Sequence, residues 1–187
     1  MKIFIFFILV STILIFSCTR QIKNIPGSKI YITDTSGDSS DESLSGILTD
    51  YLNTYNEVLK IDTTYIAYWD TMTIHFRFYC DFDSAINLPE KYIQMYGLKE
   101  FITHNFQSEI HYKVNHKIVL DTIVKKSMFE KYIDSSLVHY GIVTAPILSK
   151  EKNGIRIEYS ISIPLTDVGR EAELNIDTNG IMKIKVR

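Results

Sequence analysis

The chain has 187 residues, with 20 basic and 22 acidic side chains and a formal net charge of −2 at pH 7. Nucleic-acid-binding domains need a clustered basic face, so this balance argues against a nucleic-acid partner. Aromatic residues are abundant, with 12 Tyr, 10 Phe and 1 Trp, and a composition rich in tyrosine and β-branched residues is typical of half-buried strands.

The chain begins with one basic residue, Lys2, and an uncharged apolar run from residue 3 to residue 16. A helix needs about 20 apolar residues to span a bilayer core, so this run is too short for a span. A charged start, a short apolar middle and a small residue before the cut are typical of a secretory signal peptide. Ser17 is the small residue, and residues 1–17 are predicted to be the signal peptide.

The end of this segment, Ile15-Phe16-Ser17-Cys18, resembles the lipobox of bacterial lipoproteins. The resemblance implies that Cys18 receives a diacylglyceryl thioether, that the peptide is cut before it, and that the new amino group is acylated. Stable anchoring needs two lipid signals because one acyl chain binds only marginally. The membrane is therefore an expected partner. The alternatives are an ordinary cleaved signal and an uncleaved anchor with an incidental cysteine.

The five residues after the cysteine, Thr-Arg-Gln-Ile-Lys, bear on the location of the anchor. By analogy with lipoprotein sorting, the absence of Asp after Cys18 argues against retention in the inner membrane. No acidic cluster follows, and such clusters mark surface export in some bacteria. The expected location is the outer membrane, facing the periplasm.

Residues 18–43 are predicted to be the lipidated cysteine and a flexible tether. The stretch DTSGDSSDES (34–43) is polar and acidic, with too little apolar surface to offset the entropy lost on ordering. Its acidic residues do not follow EF-hand spacing, so no calcium site is expected. Within the tether, KIYIT (29–33) could form a short strand.

A single domain is predicted over residues 44–187. In its first segment, from Leu44 to Leu59, apolar residues recur at three- and four-residue steps. This spacing predicts an amphipathic helix, with Ser43 as its N-cap. From Met72 to Phe82 the apolar residues alternate instead with polar ones, which predicts a strand with one wet face.

The rest of the chain is predicted to be mostly strands. Pro89 and Gly97 stand where a short helix would begin and end, and SMFE (127–130) is a capping-box pattern that predicts a helix through 128–133. The predicted strands are SEIHYKV, KIVLDTIV, IVTAPIL, GIRIEYSISI, AELNI and IMKIKV. This order favours an α+β fold with an antiparallel sheet of about six or seven strands, an N-terminal amphipathic helix and short helical inserts.

Cys18 and Cys80 are the two cysteines. If Cys18 is lipidated, Cys80 has no partner within the chain, and it could pair with another chain or remain a reactive thiol. Because Cys80 lies in the alternating apolar series, an inert core thiol is favoured.

The sequence contains no recognisable catalytic motif, and no cofactor or metal is expected. His111 and His116 could meet across a strand turn, but zinc usually takes four ligands. A candidate binding surface is the wet face of the predicted strand, where His75, Arg77, Tyr79 and Asp81 lie at two-residue spacing. They could bind an anionic or sugar-like ligand or orient a proton-transfer group, or they could be ordinary cross-strand pairs.

The stretch YIAYWD (65–70) supplies two further candidates, Tyr68 and Trp69. Exposed aromatic side chains of this kind stack on sugars or contact proteins, and Trp and Tyr dominate interface hot spots. The alternative is that Trp69 packs at the sheet edge under the first helix.

The segment IPLTDVG (163–169), with the DTNG hairpin after it, is similar to the C-terminal ends of some small bacterial lipoproteins of unknown function. That resemblance implies no catalytic residues. The favoured hypothesis is a cell-envelope lipoprotein that binds an envelope protein or glycan. A periplasmic hydrolase around His75 and Asp81, and a structural or assembly lipoprotein, are the alternatives.

Overall fold

The computed structural model describes residues 30–32 and 40–187. The predicted signal peptide, Cys18 and most of the tether lie outside the described residues. Within the described part, eleven strands form three antiparallel sheets, accompanied by short helices. The α+β class is therefore confirmed, whereas the predicted count of six or seven strands in one sheet is too low.

The described helices and strands follow one another in this order: β1 (Ile30–Ile32), α1 (Ser40–Asn53), β2 (Leu59–Ala67), β3 (Asp70–Cys80), β4 (Ile86–Pro89), α2 (Glu90–Ile93), β5 (Leu98–Thr103), β6 (Phe106–Val114), β7 (Lys117–Val124), α3 (Ser135–Tyr140), β8 (Ile142–Glu151), β9 (Gly154–Ser162), β10 (Gly169–Asp177) and β11 (Met182–Val186). Among these residues, no helix is long and apolar enough to cross a bilayer.

Two four-stranded sheets carry the main core. Sheet I has the strand order β2-β3-β6-β7, and sheet II has the order β11-β10-β9-β8. The inner faces of both sheets belong to one buried cluster, which includes Ile74 and Phe76 from sheet I and Ile157 and Leu174 from sheet II. Alternate residues point outward, as the period of two in a strand requires.

A second core closes one end of this sandwich. It lies where β3 ends and β6 begins, because the chain between them forms β4 and β5, which pair with each other. β1 pairs with β5, which confirms the short strand suggested within KIYIT (29–33) of the predicted tether. Leu52 and Tyr55, at and just after the end of α1, are buried in this second cluster with Leu88, Phe101 and Leu137.

The helix predicted from Leu44 to Leu59 is present but shifted. α1 begins at Ser40 and ends at Asn53, a single 3₁₀ turn follows, and Leu59 already begins β2. Thr54 donates its hydroxyl to the Tyr51 carbonyl at 2.6 Å, a local bond of the kind by which threonine competes with helix continuation.

The predicted capping-box helix over 128–133 is wrong. Residues 126–128 and 130–132 form two 3₁₀ turns without side-chain caps. The helix that does form is α3, which the sequence analysis missed, and its N-cap is Asp134, whose carboxylate accepts from the amides of Ser136 and Leu137. The prediction near residue 97 is confirmed, since Gly97 ends the turn after α2 in the left-handed region with φ 67°.

Four hairpin turns lie together at the end of the sandwich opposite α1. Asn115, in the β6–β7 turn, donates its amide N–H to the Thr71 carbonyl at 2.8 Å and so joins the β2–β3 hairpin. The Tyr65 hydroxyl donates to the Gly154 carbonyl at the β8–β9 turn. Gly180, in the β10–β11 turn, lies so close to β7 that a Cβ there would collide with the Val119 carbonyl.

Gly180 and Gly46 make a matched pair for testing these contacts. Gly180→Ala places a side chain at φ 80° and against the Val119 backbone, so it should lower the free energy of unfolding by about 1–3 kcal/mol. Gly46→Ala, in α1, meets no atom within 4 Å and should raise it by about 0.5–1 kcal/mol. Urea unfolding measures both, and an equal effect of the two substitutions would contradict this packing.

Candidate functional site

The end of the β2–β3 hairpin exposes three large apolar side chains, Ile66, Tyr68 and Trp69, which we call the hairpin tip. Their exposed fractions are 74%, 68% and 96%. Ala67 pairs with Asp70, so Tyr68 and Trp69 alone form a two-residue loop. The alternative that Trp69 packs under the first helix is therefore excluded, because α1 lies at the other end of the sheet.

Hydrogen bonds from Asn115 hold the turn that carries Tyr68 and Trp69. The Asn115 side-chain amide donates to Asp70 at 2.6 Å and accepts the Thr71 N–H at 2.9 Å. Tyr68 has φ 56°, a left-handed conformation that Gly and Asn adopt more readily than a bulky residue. A two-residue hairpin turn requires a positive φ at its first central position, so a bulky residue here meets the turn geometry less well than Gly or Asn would.

The polar candidates on β3 point outward, as predicted, but each has a neighbour that engages it. His75 Nδ1 lies 2.6 Å from Asp62 Oδ1. Arg77 donates to Glu109 at 3.0 Å, and the Tyr79 hydroxyl donates to the same carboxylate at 2.6 Å. These contacts match the cross-strand-pair alternative.

The Tyr79–Glu109 contact shifts the ionisation of both groups. The hydrogen bond from Tyr79 lowers the pKa of Glu109, and Arg77 adds to the effect. The same bond raises the pKa of Tyr79. Because its neighbours keep the Glu109 carboxylate ionised, this group acts as a hydrogen-bond partner on the sheet surface and is not suited to proton transfer.

Asp81 does not join His75 in one site. It lies just past the end of β3, where it pairs with Lys125 at 3.5 Å. It lies six residue steps after His75, and at about 3.3 Å per step that is roughly 20 Å along an extended chain. A hydrolytic site would need the two side chains to converge on one substrate atom.

The positions of His75 and His111 are also explained by the strand pairing in sheet I. His75 faces His111 on β6, and His111 faces Asp121 on β7, with 2.9 Å between the ring nitrogen and the carboxylate. His116 lies in the β6–β7 turn. Within residues 30–32 and 40–187, no group of three or more His, Cys, Asp or Glu side chains could hold a metal ion.

Sequence reasoning missed the buried polar residues around the β5–β6 connection, of which His104 is the titratable one. It is fully buried, and its Nδ1 accepts the Ser84 amide N–H at 2.8 Å. Burial lowers its pKa, so the ring is neutral at pH 7. The bond holds the strained 81–85 loop, in which Phe82 and Ser84 have φ 51° and 49°, against the β5–β6 connection. No alternation pattern surrounds His104 to mark it in the sequence.

Cys80 is buried, with 4% of its surface exposed, which confirms its predicted place on the inner face of β3. Burial raises the pKa of its thiol to about 11. Since the thiolate is the nucleophile, Cys80 is a poor nucleophile at neutral pH.

A shallow depression of about 380 Å³ lies over the outer face of sheet II, away from all the predicted candidates. Ile147, Glu158, Ser160 and Glu171 line it, together with Arg187, which pairs with Glu173 at 3.1 Å. The depression is lined by both acidic and basic side chains, and its one cationic side chain, Arg187, is already paired with a carboxylate.

No known protein family matches this chain, and no curated protein is significantly similar to it in sequence. The lipoprotein resemblances of the N-terminal and C-terminal segments therefore remain predictions from the sequence.

We expect Cys80 to resist thiol reagents in the folded protein. A pKa raised from 9.0 to about 11 reduces the thiolate fraction roughly 100-fold, and burial slows labelling further. The test uses the Cys18→Ser chain, in which Cys80 is the remaining thiol, labelled with and without urea. Rapid labelling of the folded protein would contradict the inert-thiol interpretation.

Proposed function

We propose that this protein is a cell-envelope lipoprotein, anchored through Cys18 in the outer membrane and facing the periplasm, that works as a binding module. The contact surface is the hairpin tip. The observation that carries the proposal is that Trp69 is 96% exposed beside Tyr68, which is 68% exposed.

The hairpin tip is suited to binding because its apolar surface can be buried against a partner with little loss of conformational entropy. Burying a large apolar side chain contributes about 1.5–3 kcal/mol, so the three side chains together offer about 5–9 kcal/mol before the costs of association. Aromatic side chains have few rotatable bonds, and the two-residue turn is already fixed by Asn115. An envelope protein or a glycan are the partners whose chemistry fits exposed aromatic rings.

The two other hypotheses have weaker support. A periplasmic hydrolase around His75 and Asp81 would need groups that converge, whereas these two pair with Asp62 and Lys125 at separate places. A structural or assembly lipoprotein needs no specific ligand and would not require aromatic residues at a strained turn.

The anchor is tested by replacing Cys18. Cys18→Ser should move the protein out of the membrane fraction, because no acyl chain would be attached. Mass spectrometry of the mature N-terminus of the unaltered protein should show a lipidated cysteine. An unmodified cysteine at that position would end the lipoprotein interpretation.

The hairpin tip is tested by separating binding from stability. Trp69→Ala and Tyr68→Asn should each reduce partner capture from native membranes at least about tenfold, as expected for hot-spot residues. Tyr68→Asn should leave the free energy of unfolding unchanged or raise it by about 0.4–1 kcal/mol, since Asn tolerates the left-handed turn. The control is Tyr132→Ala, an aromatic residue 44% exposed elsewhere. Unchanged capture by both tip variants would refute the proposal.

A further inference from the structure

We infer that the hairpin tip docks on the anionic lipid headgroups of the bilayer that carries the anchor. The inference rests on the proposed anchor and contact surface, but it names a lipid surface as the main partner of the tip in place of the envelope protein or glycan proposed above. It is carried by the side chains gathered at this end of the sandwich and by the length of chain that precedes β1.

The apolar part of this surface is larger than the hairpin tip itself. Ile118, near the start of β7, is 58% exposed, and Ile181, in the β10–β11 turn, is 56% exposed. The hydrogen bonds of Asn115 and the approach of Gly180 to Val119 bring these turns to the same end as Trp69. Trp and Tyr are the residues that favour the membrane–water interface, because they combine an apolar ring with a polar atom.

Exposed lysines accompany these apolar residues. Lys117 follows the β6–β7 turn, Lys150 and Lys152 lie at the β8–β9 turn, and Lys183 lies near the start of β11. The Lys150 ammonium group lies 5.4 Å from the centre of the Tyr65 ring. Lysines beside an apolar and aromatic surface are attracted to anionic lipid headgroups.

The acidic side chains at this end are occupied within the fold. Asp70 accepts from the Asn115 side chain, and Asp177 accepts the backbone N–H groups of Asn179 and Ile181. Glu151 pairs with Arg156 at 3.3 Å. The neutral donors leave the charges of Asp70 and Asp177 in place, so at this end five cationic side chains (Lys117, Lys150, Lys152, Lys183 and Arg156) stand against three carboxylates, an excess of positive charge.

The lysines beside the hairpin tip argue against a protein as its main binding partner. Lysine is depleted in protein–protein interfaces, where charge must be desolvated, whereas it is common on surfaces that meet anionic lipid. Lysines can reach headgroups while their charges stay hydrated.

The length of the N-terminal segment permits contact with the anchoring bilayer. Eleven residues (29 − 18 = 11) separate Cys18 from β1, and fully extended they reach at most about 40 Å. β3 has 11 residues, so the sandwich is about 36 Å long. A chain anchored at Cys18 can thus lie along the membrane with its hairpin tip on the surface, and tethering raises the effective concentration of a weak contact.

Trp69 is the only tryptophan of the chain, so its fluorescence reports the hairpin tip alone. The full lipidated protein is placed in vesicles of phosphatidylcholine, with or without phosphatidylglycerol, that carry brominated acyl chains. We expect a blue shift and quenching of Trp69 emission in the anionic vesicles, several-fold weaker quenching in the neutral ones, and a loss of the difference at high salt.

The lysines are tested in the same assay. The combined substitution of Lys117, Lys152 and Lys183 by Gln should remove most of the quenching, whereas Lys99→Gln, in β5 at the opposite end, should not. If Trp69 emission is the same in both vesicles as in detergent solution, the membrane inference fails. Tip-dependent capture of an envelope protein would still stand in that case, and only the loss of that capture as well would remove the proposed function.

Discussion

The structure depends on one buried layer shared by two sheets. Each strand of sheets I and II supplies alternate side chains to that layer, so a shift of one residue in any strand would turn its apolar residues to water. Phe76 and Ile110 from sheet I and Ile157 and Leu174 from sheet II are almost fully buried there. This requirement fixes the register, and the register then fixes which polar residues stand side by side on the outer faces.

The two ends of the sandwich differ in whether other elements cover the strand ends. At one end, α1 and the sheet of β1, β5 and β4 cover the strand ends with a second core, in which the Tyr55 hydroxyl bonds Thr103 at 2.7 Å. At the other end the four hairpins stop at their turns without a covering layer among the described residues. Apolar side chains at the covered end contribute to stability, whereas those at the turn end remain in contact with water.

How far the sequence predicts this fold depends on whether a segment carries its own pattern. β3 was predicted because Met72 to Cys80 alternate without interruption, and β6 to β11 because each is a clear run and short turns join β6 to β7, β8 to β9 and β10 to β11. β2 was missed since its outward Thr and Ile residues blur the alternation, and β4 and β5 since Pro89 and Gly97 suggested only a helix. The partners of the candidate residues, Asp62, Glu109 and Lys125, come from other strands or from beyond a strand end, so no local spacing could have predicted them.

The β6–β7 turn offers a comparison for the β2–β3 turn, although both of its central residues have positive φ and in the β2–β3 turn only Tyr68 does. Both are two-residue turns at the same end of sheet I, and the former uses Asn115 and His116 at φ 50° and 68°. Asn115 serves the turn by bonding Thr71 and Asp70, as small polar residues do in such positions. Tyr68 accepts a comparable backbone angle with no such benefit, and Trp69 beside it is almost entirely in water. Since the same sheet closes a turn of the same length with Asn, turn geometry does not require the aromatic residues, and this is the reason for proposing that they contact another surface.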